Sequence, residues 1–212
     1  MSELYGDAYT DYQKNRSSFR KFVRRAYLRS AQNKLTGKVL DFGCGVGELL
    51  ERLPVGSMGL EYNRKTVDYC RGKGLDVHWY DGLQDDWSLS VISEGRRFDS
   101  MIVSHVLEHL DTPGQVLGKL LCSAAHLGIS RVLVVVPGHA GYAKDATHRT
   151  FVDAELLNAD FVTAGSGFAK TQERYFPGNH RLIGEYFRYH ELQVVYGRDG
   201  TNGPTSDLKG NT

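Results

Sequence analysis

Cysteine is scarce in this sequence, and the three present, Cys44, Cys70 and Cys122, never fall into a C-x-x-C spacing. Neither a disulfide framework nor a thiolate zinc site is indicated, and a reducing compartment fits best. Long apolar runs are lacking too. No window approaches the roughly 18 consecutive apolar residues that a membrane span needs, and the opening stretch MSELYGDAYTDY has no apolar core of the kind a secretion signal carries. A soluble, cytoplasmic protein with no membrane association is expected. Overall charge of one sign is also missing, with 26 Lys plus Arg against 25 Asp plus Glu, which argues against a generally nucleic-acid-binding chain and against an acidic tail. There is no internal repeat and no low-complexity tract. A length of 212 residues suits a single domain with short extensions.

Charge balance breaks down locally. Between Tyr12 and Leu40 there is no acidic residue, while Lys14, Arg16, Arg20, Lys21, Arg24, Arg25, Arg29 and Lys34 all occur there. Phe19, Phe22, Val23, Ala26 and Tyr27 recur at helical spacing in the same stretch, so residues 14–34 read as an amphipathic helix with a basic outer face. That face would attract phosphates or other anions; a solvated helix face is the plainer reading. Tyr5, Tyr9 and Tyr12 precede it as the edge of a packed lid.

Beyond Gly37 short apolar runs alternate with helical stretches. Strands are expected at residues 38–42, 57–61, 75–80, 98–103, 131–136 and 188–197, and helices at 47–53, 64–71, 151–159 and after Asp111-Thr112-Pro113. Pro54 would stop the first of those helices, and Val116, Leu117, Leu120, Leu121 and Ala124 form the inward stripe of the one after Pro113. The run Val132-Leu133-Val134-Val135-Val136 is apolar at successive positions, as in a central strand covered on both faces, and so indicates a parallel, doubly wound α/β sheet. The expected domains are a helical lid at 1–36, the main domain at 37–197 with an acceptor-side insertion at 138–184, and a disordered tail at 198–212.

Chemistry concentrates where the first strand ends. Gly43, Gly45 and Gly47 give G-x-G-x-G beginning two residues after Asp41, so backbone N–H groups can approach a ligand without Cβ obstruction. A pyrophosphate-binding turn would instead have G-x-G-x-x-G, and an acid within the turn sits poorly beside pyrophosphate but well beside an ammonium or sulfonium. Glu61 ends the second strand, where a carboxylate can accept both hydroxyls of a ribose, and Asp81 follows the third, where it could accept from an adenine amine. Acid-bearing loops thus gather on the sheet edge where ligands bind in open α/β folds.

The segments V-L-D-F-G-C-G-V-G-E-L-L (39–50), Gly59-Leu60-Glu61 and F-D-S-M-I-V-S-H-V-L-E-H-L (98–110) closely resemble class I S-adenosylmethionine-dependent methyltransferases, over about residues 38–137. The resemblance implies a Rossmann-like, mostly parallel seven-stranded sheet with an N-terminal helical extension and an antiparallel last strand. It also implies that Asp41, Gly43, Cys44, Gly45 and Gly47 hold the methionine part of S-adenosyl-L-methionine, Glu61 and Tyr62 the ribose, Asp81 and Gly82 the adenine, and Ser104 with His105 the floor. Cys44 reads as a small filler of the turn rather than a nucleophile. The V-L-E-H stretch is similar to that of small-molecule O-methyltransferases. Quinone-type members carry Glu where this chain has His105 and bind a divalent cation there. Hard cations prefer oxygen, so no metal is assigned to His105, Glu108 and His109.

Methylating an alcohol requires alignment, exclusion of water and removal of a proton, and histidine is the usual base near neutral pH. His105, His109, His139 and His148 all lie on loops leaving the presumed ligand edge. His148 and His109 are the preferred catalytic residues, with Asp145 placed to orient the His148 ring. Arg149, Arg174 and Arg181 are candidates for an anionic substrate. The expected function is methyl transfer to a small-molecule acceptor, the hydroxyl of a sugar, glycan precursor or secondary metabolite, by a monomer or homodimer. Two alternatives stay open: an RNA or nucleotide-linked methyltransferase using the basic helix, and a non-catalytic cofactor-binding regulator. Nucleic acid is disfavoured because no Asn-Pro-Pro-Tyr type motif follows strand four. A nicotinamide oxidoreductase is the weakest rival, given the glycine spacing.

Overall fold

The computed structural model describes residues 18–183, 187 and 189–198, with side chains described from Arg25 onward. Strands are β1 (Val39–Phe42), β2 (Met58–Glu61), β3 (Val77–Trp79), β4 (Ser100–Ser104), β5 (Arg131–Pro137), β6 (Ala169–Phe176) and β7 (Glu191–Gly197). They form one seven-stranded sheet in the order β3-β2-β1-β4-β5-β7-β6. The first five run parallel, and β7 runs antiparallel to both of its neighbours. The expected class, a Rossmann-like doubly wound sheet with an antiparallel last strand, is the one observed.

The centre of the sheet follows from its sequence. Val132 through Val136 are all at 0% exposure, which only burial on both faces can produce. Val132, Val134 and Val136 share a cluster with Met101, Val103 and the stripe of helix α3 (Pro113–His126), while Leu133 and Val135 turn to the other face. Helix α1 (Ser18–Gln32) packs on that second face through Tyr27, Leu28 and Ala31, so its described part is a layer of the sheet as well as a cover for its edge. Each such side chain stabilises the fold by about 1.5–3 kcal/mol on full burial. Pro113 sits in the first turn of α3, where its missing N–H costs nothing. Helix α2 (Arg64–Gly72) begins at Asn63, whose side chain accepts from Thr66 N at 3.2 Å.

Several expected elements differ. Residues 47–53 form turns and one 3-10 turn (Leu50–Arg52) rather than a helix. Gly47 has φ +78°, outside the helical region, and Leu53 is forced extended before Pro54, so too few residues remain between them. The stretch 151–159 gives the single turn α4 (Ala154–Leu157), because Asp153 caps Leu156 N at 3.0 Å; Ala159 is then extended ahead of another turn, α5 (Asp160–Thr163). Strand β6 lies within the stretch read as an insertion, so 138–184 supplies part of the sheet as well as loops. The tyrosines at 5, 9 and 12, the basic residues Lys14 and Arg16, and the tail from 199 lie outside the described residues. No described helix is long and apolar enough to cross a membrane.

Candidate functional site

The loops after β1 to β5 leave the same edge of the sheet, and the glycine turn is the first of them. Gly43 N and Cys44 N both donate to Leu60 O, at 2.9 and 3.0 Å, which folds the turn across the end of β2. Gly43 has φ +73°, and a Cβ there would overlap Val106; only glycine fits. Gly45, at φ +54°, is different, since a Cβ there would meet nothing within 4 Å. Its missing side chain leaves open space beside exposed backbone, which is what a ligand needs. No regular helix follows the turn, so no helix dipole points at this space, and the N–H groups of Gly43, Cys44, Gly45 and Gly47 are engaged by Leu60, Glu61 and Cys44.

Asp41 and Glu61 flank this space. Asp41 is 3% exposed at the end of β1. Glu61 accepts from Gly45 N through Oε2 (2.9 Å) and from Asn63 N through Oε1 (2.8 Å), so one carboxylate ties the glycine turn to the end of β2. Burial pushes the Glu61 carboxyl above its ordinary value, opposed by the backbone N–H groups of Asn63, Gly45 and Tyr62. Those three N–H groups leave about one of the carboxylate's roughly four lone pairs for a hydroxyl donor. These residues fit the adenosyl cofactor that the sequence motif implies. Cys44 packs with Leu50, Val67, Cys70 and Val77, as the filler expected.

The remaining cofactor-side residues have structural partners of their own. Tyr62 is 43% exposed, and its carbonyl accepts from Trp79 Nε1 at 2.7 Å. Asp81 Oδ1 accepts from Leu83 N and Gln84 N, at 3.0 and 3.3 Å, and so holds its own loop. Gly82 leaves room for the Trp87 ring, which a Cβ would overlap. Ser104 shares a hydrogen bond with the Tyr27 hydroxyl, so α1 is fastened over the end of β4.

His105 carries φ +55°, and both its ring nitrogens are engaged: Nδ1 with Glu108 Oε1 and Nε2 with Glu191 Oε1, each at 3.0 Å. Burial alone would lower its pKa, but the Glu108 and Glu191 carboxylates raise it to about 10. The ring is therefore a cation near neutral pH. Glu191 and Tyr27, which the sequence reading did not connect to the site, meet here; the ring centroids of Tyr27 and His105 are 5.9 Å apart.

The two preferred histidines are brought together. His109 and His148 have ring centroids 4.8 Å apart, and Tyr142 stacks on His148 at 5.3 Å. His148 Nδ1 donates to Tyr142 O (2.9 Å), and His109 Nδ1 to Thr147 O (3.3 Å). Burial lowers the His109 pKa, which keeps its ring neutral. Asp145 does not orient His148 by a hydrogen bond as expected: it caps Thr147, at 2.9 Å to N and 2.6 Å to Oγ1, and stays 3.9 Å from His148 Nε2. Glu108, His109 and His148 each place a metal-ligating atom within 4.8 Å of the others. The set considered in the sequence, with His105 as third member, is not the one assembled, because His105 is held between two carboxylates. Beside this cluster an open, shallow hollow is lined by His139, Phe151, Tyr175, Arg181 and His190. Of the arginines considered for an anionic substrate, Arg181 alone lines it, and Arg149 pairs with Asp111 at 2.7 Å.

The model of the family described as methionine biosynthesis protein MetW matches residues 27–141, more than half of the chain. The chain belongs to the MetW family. The matched segment holds Asp41, the glycine turn, Glu61 and the stretch from Ser104 to His109, and ends before His148. No curated protein matches this MetW-family chain. It is similar to a SAM-dependent methyltransferase from Archaeoglobus fulgidus, with 21% identity over 91% of this chain and 100% of that one, at a TM-score of 0.63. A putative methyltransferase from Haloferax volcanii, solved with the Trm112 activator, has 13% identity over 96% and 100% of the two chains, at 0.66. Magnesium protoporphyrin IX methyltransferase from Synechocystis PCC 6803, with bound SAH, has 15% identity over 93% and 98%, at 0.61. At these identities the likeness establishes the fold, that of class I S-adenosylmethionine-dependent methyltransferases.

Proposed function

We propose that this chain transfers a methyl group from S-adenosyl-L-methionine to the hydroxyl of a small molecule, such as a sugar, glycan precursor or secondary metabolite. The observation that carries the reading is Glu61, half-buried at the end of β2 and bound to Gly45 N, the one glycine of the turn whose Cβ direction opens into empty space. Asp41 and the turn from Gly43 to Gly47 would hold the amino-acid part of the cofactor, and Glu61 the ribose hydroxyls. Bound there, the cofactor supplies an activated methyl group. The acceptor enters by the hollow near His139 and Arg181, and His148 with His109 handles the proton its hydroxyl releases. Imidazoles whose Nδ1–H groups are committed to backbone carbonyls turn Nε2 away from those carbonyls as the atom left to take a proton, which suits that task.

A second reading is favoured by the family description, which speaks of methionine biosynthesis and not of an acceptor. In it the chain binds the same cofactor as a regulator and performs no transfer. Calorimetric titration of the full-length protein with S-adenosylmethionine and S-adenosylhomocysteine, on wild type and Glu61→Ala, tests both. Binding that the variant loses supports the shared cofactor site, and S-adenosylhomocysteine formation with an acceptor present separates enzyme from regulator. Absence of binding by cofactor-free wild type overturns the two together.

A further inference from the structure

Three acceptor groups converge between the loop after β4 and the loop after β5, and the way each is held matters more than their number. Glu108 is at 0% exposure; its Oε1 accepts from His105 Nδ1 at 3.0 Å, while Oε2, also buried, has no hydrogen-bond partner among the described residues. A buried carboxylate oxygen without a donor is costly unless something else compensates it. His148 Nε2 stands 3.9 Å from Glu108 Oε1. His148 Nδ1 donates to Tyr142 O at 2.9 Å, which commits that nitrogen and leaves Nε2 as the ring atom available to a ligand. His109 is anchored alike, with Nδ1 at 3.3 Å from the Thr147 carbonyl and 3.2 Å from its hydroxyl. Two imidazoles and a carboxylate thus place ligand atoms within 4.8 Å of one another around a buried oxygen that lacks a donor, and a cation bound among them would compensate it. Anchoring of the remote ring nitrogen by a carbonyl is also how imidazole ligands are fixed in metal sites.

We propose that Glu108, His109 and His148 form a site for one divalent transition ion of the zinc or manganese class. Two nitrogens and one oxygen suit such ions, whereas magnesium and calcium prefer all-oxygen sets. An ion about 2.1 Å from each ligand sets the ligands roughly 3–4 Å apart. The three atoms already lie within 4.8 Å, so closure takes up to about 1 Å of side-chain movement. His105 is not a ligand, since Glu108 and Glu191 hold both of its nitrogens. Three protein ligands leave coordination positions open, as a catalytic ion requires. The inference rests on the methyl-transfer reading above and refines the role of His148 and His109 in it. As ligands they acidify a coordinated acceptor hydroxyl, whose proton passes to water, instead of taking that proton themselves.

Chelator-treated, full-length protein is titrated with Zn²⁺, Mn²⁺ and Mg²⁺ by calorimetry and with Co²⁺ by visible absorption. One Zn²⁺ or Co²⁺ per chain is expected, with His148→Ala and His109→Ala each weakening it at least about 100-fold. The wild-type Co²⁺ spectrum should lack a sulfur charge-transfer band, which sets the cluster apart from Cys44 and Cys70 even where a variant alters the fold. No ion binding by wild type, undiminished binding in both variants, or a thiolate-type spectrum overturns the proposal. Titration of the same samples with S-adenosylhomocysteine keeps the two readings apart. Cofactor binding without ion binding sinks the metal site alone, and ion binding without cofactor binding sinks the methyl-transfer reading alone.

Discussion

Glu61→Gln separates the cost of burying a carboxylate from the use made of it. In the wild type both carboxylate oxygens accept from backbone N–H groups, Gly45 at 2.9 Å and Asn63 at 2.8 Å. Glutamine keeps one acceptor oxygen but aims its NH₂ at the other N–H, leaving a donor facing a donor, at about 1–3 kcal/mol. Against that loss stands relief of desolvation, the main cause raising the Glu61 pKa above its ordinary value of 4.5. A carboxyl whose pKa is higher folded than unfolded binds more protons in the native state. Its contribution to stability is thus fully present below about pH 4.3 and is lost as pH rises through the folded value. Wild-type stability should fall over that window, while Glu61→Gln should be flat across it. Cofactor affinity behaves differently. Charge-assisted hydrogen bonds to ribose hydroxyls are worth about 1.5–3 kcal/mol each, so losing the charge should weaken S-adenosylhomocysteine binding on the order of 100-fold at pH 7. Calorimetry and denaturant melts at pH 4, 5.5 and 7 give both quantities. Unchanged cofactor affinity in a folded Glu61→Gln protein would refute the placement of the ribose at this residue.

Two further outcomes follow from packing and charge away from the glycine turn. A Cβ at Gly82 would overlap the Trp87 ring, so Gly82→Ala should cost about 1–3 kcal/mol by tryptophan-monitored unfolding, and less in a Trp87→Leu background; equal losses in both backgrounds would show that Trp87 is not the obstruction. Burial alone would raise the Asp85 pKa, but hydrogen bonds from Ser90 and Tyr80 outweigh it and lower it from 3.8 to about 2, so its contribution is present above pH 4 and lost as pH falls through 2. The stability gap between wild type and Asp85→Asn should close over that interval, and a gap that stays constant would exclude the mechanism.

What could be read from the sequence was whatever neighbours in the chain determine. The run from Val132 to Val136 announced a strand buried on both faces, and the stripe of α3 announced its inward side, because burial leaves its period in consecutive residues. The glycine turn and Glu61 were legible for a related reason: close backbone approach and an acid at a strand end are short-range requirements. Strand β6 left no such trace. It is an edge strand paired only with β7, mostly exposed, and its Lys170, Glu173 and Arg174 protect the edge instead of filling a core. The helix expected at residues 47–53 was over-read, since an apolar pattern cannot form one between a left-handed Gly47 and Pro54. Partners at long range were invisible. Glu191 is 86 residues from His105 in the chain, and nothing local to either marks the pair.

The antiparallel direction of β7 is what makes that pair possible. Were β7 parallel like β5, its last residue would reach the ligand edge; reversed, it presents its first, Glu191, opposite Pro137 and Phe176. The loop after β4 leans over β5 to meet it, with His105 N donating to Val135 O at 2.9 Å. Reaching that position places His105 at φ +55°, a conformation that costs a non-glycine residue about 1–2 kcal/mol and persists where surrounding contacts over-determine it. Here they are the bonds to Glu108 and Glu191. The first fixes the carboxylate that faces His148, and the second fastens the whole loop to the far half of the sheet. Two parts of the edge are thereby joined through one charged ring: Tyr27 and Ser104 lie on one side of it, and Glu108 with His109 and His148 on the other. A left-handed, cationic histidine at this junction therefore positions Glu108, one of the groups to which the acceptor chemistry is proposed to belong.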